Sequence, residues 1–125
     1  MTYKFTIRGT LPGLNEYIEQ ERRHRQAGAK LKKQCECVVM HALRSLGKLQ
    51  IEKPVYMIYH WYEKDRRRDK DNISSFGRKV IQDALVRARI LQNDGWENII
   101  GFEDRFEVDK RNPRIVVEIM EVDEG

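Results

Sequence analysis

The hydrophobic period of this chain switches repeatedly, and the order of the switches leaves room for few folds. Tyr3, Phe5 and Ile7 alternate with polar neighbours, the period-two pattern of a half-buried strand. "LPGLN" breaks that pattern. From about Asn15 to Leu46 the spacing turns helical, with an interruption expected at "QAGA". Leu31, Cys35, Val38 or Val39, Ala42 and Leu46 fall along one face, and Gly47 is a natural stop. "VYMIYHWYE" after Pro54 reads as a second strand, because β-branched and aromatic residues fit a pleated surface. Ile73, Phe76, Val80, Ala84 and Ala88 then define a second amphipathic helix, running from Asn72 to about Ile90. "QNDGW" is a turn. "IIGFEDRFEVD" and "RIVVEIMEV" read as two more strands, joined as a hairpin through "KRNP". The order β-α-β-α-β-β predicts one α+β domain over residues 1–125, with a mixed or antiparallel sheet of about four strands packed with helices.

Between the second strand and the second helix lies "RRRDKDN", residues 66–72. Loops held there by a rigid scaffold often carry function. In extended backbone, residues i and i+2 point to one side, so Asp69 and Asp71 are expected to share a face. Two adjacent carboxylates repel unless a proton or cation lies between them, and a hard divalent ion such as Mg²⁺ answers that need. Asn72 is read as the N-cap of the helix that follows. A third acid, Asp94, sits in the turn after that helix. The helix spans roughly 25 Å at 1.5 Å per residue, so Asp94 joins the pair only if the chain returns or a second subunit contributes.

Charge suggests the partner. Residues 1–95 hold 20 of the 24 Lys and Arg but only 11 of the 20 Asp and Glu. Basic clusters at Arg22, Arg23, Arg25, Lys30, Lys32 and Lys33, and again at Arg66, Arg67, Arg68 and Lys70, suit a polyanion. No apolar run nears the 18 residues of a membrane span, and "MTYKFTIRGT" lacks a signal peptide's apolar stretch, so the expected location is the cytoplasm. Cys35 and Cys37, the two cysteines, agree with a reducing compartment and read as packing residues. Trp61 and Trp96 are read as core or dimer packing. His24, His41 and His60 are scattered and suggest no chemistry.

The combination of "LPGLNEYI", "RRRDKDN", "IQDAL" and "NDGW" over nearly the whole chain resembles the RusA-like Holliday-junction resolvases. That resemblance implies a small homodimeric endonuclease that binds four-way DNA junctions. Such enzymes cut symmetrically related phosphodiesters with Mg²⁺ or Mn²⁺, and often come from bacteriophages and prophages. The family's metal-binding acids match Asp69, Asp71 and Asp94. Its lysine falls three residues after the Asn, where this chain has Ser75. One extra helical turn puts residues 75 and 79 on one face, and Lys79 stands four before Asp83, so the role passes to Lys79. Arg66, Arg67, Arg68, Lys70 and the cluster from Arg22 to Lys33 would bind phosphates. Asn15 is open to two readings, a contact to DNA or a brace of the site, and a helix cap. A homodimer is expected to use the first long helix or the strand "VYMIYHWYE". Two alternatives stand beside junction resolution: a nuclease for flaps or other branched DNA, and a DNA-binding module without catalysis.

Overall fold

The computed structural model describes residues 1–123; the last two residues of the expected domain lie outside the described part. Strand β1 (Thr2–Arg8) leads into helices α1 (Leu14–Arg23) and α2 (Arg25–Ala42), a short 3-10 turn, and strand β2 (Val55–Glu63). Helix α3 (Lys70–Arg87) and strands β3 (Ile99–Val108) and β4 (Arg114–Glu121) complete the chain. The four-stranded sheet has the order β1-β4-β2-β3. β4 runs antiparallel to both its neighbours, while β2 and β3 are parallel. The class is α+β with a mixed sheet, as the periods imply.

The expected β3–β4 hairpin does not form, because β2 lies between the two strands. The physical reason is visible in their composition. β4 is apolar on both faces through Ile115, Val116, Val117 and Ile119, all buried, and a central strand needs that. β3 carries Glu103, Asp104, Arg105 and Glu107, which an edge strand tolerates and a central one does not.

One face of the sheet makes the core. Val55, Met57, Tyr59 and Trp61 of β2 alternate inward with Phe5, Ile7, Ile115, Val117 and Ile119 of the neighbouring strands. The helices lay Cys35, Val39, Ile73, Phe76, Val80, Ile81, Ala84 and Leu85 against them. Burying each such side chain contributes about 1.5–3 kcal/mol before entropy is set against it. α3 comes down onto β2 at Gly77, where an added Cβ would stand 2.8 Å from the Trp61 ring. Only glycine permits that approach.

The helical stretch before β2 breaks at His24, in extended backbone (φ −164°), rather than at "QAGA". The His24 ring nitrogen Nδ1 accepts from the Gln26 N–H at 3.1 Å, so this histidine ends α1 and caps α2. α3 starts two residues before the expected Asn72. Among the described residues no helix is long and apolar enough to cross a membrane.

Candidate nucleic-acid interface and metal site

Asp69 is the N-cap residue of α3 and Asp71 lies in its first turn. This corrects the extended-backbone premise, since residues two apart at a helix start do not stack on one side. Both carboxylates are exposed. The Asp69 side chain makes no capping hydrogen bond, and among the described residues neither carboxylate has an ion-pair partner.

Asn72 is not the cap of α3. Its Oδ1 accepts from the backbone N–H of Asn15 at 2.8 Å, which makes it the cap of α1. The N-cap position of α1 is Gly13, which has no side chain to offer. Gly13 is also packed so tightly that a Cβ there would meet Asn72 Oδ1 at 2.7 Å. Of the two readings of Asn15, its backbone is thus part of a helix cap, received from another helix.

The three arginines diverge. Arg68 turns inward and donates to both oxygens of Glu63, at 2.9 and 3.0 Å, and to the Leu11 carbonyl at 3.0 Å. Glu63 is buried, so this is a structural ion pair and Arg68 is not a free phosphate ligand. Arg67 is exposed, and its nearest acid is Asp65 at 3.7 Å. Arg66 and Lys70 are exposed and, with Asp69, Ile73, Phe106 and Val108, line an open cleft of about 590 Å³. The Lys70 ammonium lies 5.7 Å from the Phe106 ring centre.

Halfway along α3 a second charged group forms. Asp83 receives Lys32 at 3.0 Å and Lys79 at 3.1 Å, and Lys79 also reaches Asp94 at 3.5 Å. The Asp83 hydrogen bond, more than any other contact, raises the Lys79 pKa above its ordinary value. For Asp83, burial alone would raise the pKa, but hydrogen bonds from Lys32 and Lys79 outweigh it and hold the carboxyl below the usual range. The chain does return after α3, but it brings Asp94 to Lys79 and not to Asp69 and Asp71. Eight residues separate Asp71 from Lys79, roughly 12 Å along the axis. No group of three His, Cys, Asp or Glu among the described residues converges as a metal-binding cluster.

In the earlier basic cluster, Arg22, Arg25, Lys30 and Lys33 are exposed, Arg23 pairs with Glu19, and Lys32 is taken by Asp83. Lys30 and Lys33 line a groove on α2 with Cys37 and Arg87. Cys35 is buried, which raises its thiol to about 11. Trp61 is core, donating its indole N–H to Asp104 at 2.9 Å, and Arg78 pairs with the same carboxylate. Trp96 is not core: it stands 96% exposed on the turn after α3.

Glu63 and Asp104 are the polar anchors that the periodicity reading passed over. Both occupy inward positions of their strands, Glu63 in series with Tyr59 and Trp61, and Asp104 with Phe102 and Phe106. A charged residue inside an inward apolar series marks a buried ion pair, and that signal was present.

Fold and site together define an α+β domain with an open cleft lined by Asp69, Arg66, Arg68 and Lys70, and a second exposed carboxylate, Asp71, directly after Lys70. A scan of protein-family models finds no match, and a search of curated proteins finds none. The likeness to RusA-like resolvases therefore rests on the motifs.

Proposed function

We propose that this chain is a Mg²⁺-dependent endonuclease for branched DNA, with the four-way junction as its substrate, working as a homodimer. The observation that carries the reading is a contrast in pairing. Glu63, Asp83, Asp94 and Asp104 each have a cationic partner; Asp69 and Asp71 have none among the described residues, a state shared with Glu21, Glu52, Glu97 and Glu107, but only they stand beside Arg66, Arg67 and Lys70 in sequence. Two exposed carboxylates with free lone pairs fit a hard divalent ion that completes its shell with water and phosphate. When bound, such an ion lowers the pKa of a water and polarises the scissile phosphoryl group.

The chain's own residues do the rest. Arg66, Arg67 and Lys70 hold the DNA backbone beside the cleft. Lys79 is held by Asp83 and Asp94 in the free chain, and its role is to leave Asp94 for a phosphate and offset the charge that develops there. Asp94 belongs to the expected ligand set, and its part is read directly from Asp94→Asn. Loss of cleavage that a higher Mg²⁺ concentration restores makes it a ligand, and a loss that Mg²⁺ does not restore, or near wild-type cleavage, makes it only the partner of Lys79.

One observation favours a second reading, a DNA-binding module without catalysis. Asp69 and Asp71 stand where the positive end of a helix dipole favours carboxylates for stability alone. Mg²⁺-dependent cutting of a synthetic four-way junction, against duplex and flap controls, separates the readings. Preferred cutting of the junction supports the first. Preferred cutting of the flap moves the substrate class. Binding with no cleavage in Mg²⁺ or Mn²⁺ supports the second.

A further inference from the structure

β3 is an edge strand of ten residues, and among the described residues nothing pairs with its outer edge. Its helix-side face is poorly covered, because α3 lies mainly over β2. Phe102 is 47% exposed, Ile100 51% and Val108 47%. The other edge, β1, is shorter, and its charges, Lys4 and Arg8, are of one sign, so a second copy offers them no opposite charge, whereas β3 carries both signs. A long edge with exposed apolar residues is a template for another strand.

We propose that β3 pairs antiparallel with β3 of a second copy, in a register centred on Asp104. The inference rests on the homodimer of the proposed function and names its surface. Two edges related by a two-fold axis meet with that axis perpendicular to the sheet, so residues of equal parity face each other. Within that constraint the registers differ sharply. Centring on Asp104 sets Phe102 opposite Phe106 of the partner subunit and Glu103 opposite Arg105 of the partner subunit. Val108 then meets the segment around Ile100 of the partner subunit.

Moving the centre to Glu103 opposes Glu103 to itself and Phe102 to Asp104. Moving it to Arg105 opposes Arg105 to itself and Glu103 to Glu107. Each of the three opposes one charge to itself at the axis and holds an apolar pair (Ile100 with Phe106, or Phe102 with Val108, in the other two), but only the Asp104 register also pairs acid with base.

Within one chain Glu103 and Arg105 already contact each other at 2.7 Å on the face away from the helices. Pairing would close them into a square of four alternating charges. The two Asp104 carboxylates meet at the axis. Each is already bound by Arg78 and the Trp61 N–H, so the centre carries as many positive as negative charges. The result is a continuous eight-stranded sheet with both helical layers on one side. Val108 also lines the cleft beside Asp69, so the partner's Ile100 segment would wall that cleft.

Charge reversal tests the register. Glu103→Arg and Arg105→Glu each turn the square into like charges. Each should weaken the dimer about tenfold or more, so that either variant alone elutes as a monomer at micromolar concentration. The double variant restores the alternation and should be dimeric, and so should an equimolar mixture of the two single variants. Light scattering should give about twice the 14.9 kDa chain mass for the wild type, the double variant and the mixture. Single variants that stay dimeric, or a mixture that stays monomeric, overturn this interface and leave the dimer standing. A monomeric wild type overturns both. Amide exchange of wild-type residues 100–108 at low and high concentration reads the same contact without variants. Protection that does not rise with concentration overturns the pairing.

Discussion

Helix α3 carries acids at its start and in its middle, and the two groups are built on opposite principles. Further along, Asp83 is held by Lys32 and Lys79, Lys79 also reaches Asp94 in the turn beyond the helix, and the charges satisfy one another. At the start, Asp69 and Asp71 face solvent, and among the described residues no cation pairs with them. A partnered carboxylate lowers the energy of the fold. An unpartnered one stays open to solvent and, in the proposed function, to a divalent ion. The same division runs through the arginines: Arg68 is spent on Glu63, while Arg66 and Arg67 point outward.

The sharpest way to break this contrast is to neutralise the start. Asp69→Asn or Asp71→Asn should reduce Mg²⁺-dependent junction cleavage about a thousandfold, roughly 4 kcal/mol of barrier. Junction binding and the thermal midpoint should hold. A variant that cuts at near wild-type rate removes its residue from the ligand set.

Next comes the inward arginine. Arg68→Ala leaves Glu63 buried without its partner and should lower unfolding free energy by about 3 kcal/mol, measured by urea titration. A change within 0.5 kcal/mol or so would make the pair a surface contact.

In the middle of the helix, Asp83→Asn should lower stability by about 1–2 kcal/mol at neutral pH. The folded Asp83 pKa is depressed, so its contribution is present above the ordinary aspartate value near 3.9 and is lost as pH falls through the lower folded value. The difference in stability between wild type and Asp83→Asn should therefore shrink on acidification. A gap of constant size from pH 7 to pH 2 would show that the Lys32 and Lys79 contacts do not set its ionisation.

The smallest effect belongs to the exposed arginines. Arg66→Gln with Arg67→Gln should flatten the salt dependence of DNA binding by about one unit of slope per lost phosphate contact. Adding Arg68→Gln should add no further unit, because Arg68 is already engaged. An unchanged slope would move the DNA surface to the exposed cations of α2.

Much of the fold was legible because periodicity is local. Ile73, Phe76, Val80 and Ala84 mark the buried face of α3, and the inward series of β2 can be read directly. Strand order was less legible, since it depends on which strands are apolar on both faces across the whole sheet. β4 announces this in "IVV" and β3 denies it with four charges, but adjacency in sequence argued for a hairpin. The candidate acids were readable as a pair, but their backbone was not. The start of α3 at Lys70 places Asp71 inside the helix, and the packing that draws the chain there is tertiary. Nor could "RRR" say which arginine turns inward. That choice belongs to Glu63, whose inward parity was the available clue.

The cap on α1 has a consequence for the order in which the molecule comes together. Asn72 and Asn15 are 57 positions apart, yet one closes the first turn of the other's helix. Helices of ten residues are marginal alone in water, and this one has no side chain of its own at Gly13 to hold its start. As the chain is synthesised, α1 is therefore made long before it can be completed. Its own Glu16 can accept from the Gly13 N–H, at 3.4 Å in the fold, but the Asn72 part of the cap cannot form before α3 has been made. Completing the helix nearest the N-terminus is thus tied to a contact that spans nearly half of the polypeptide.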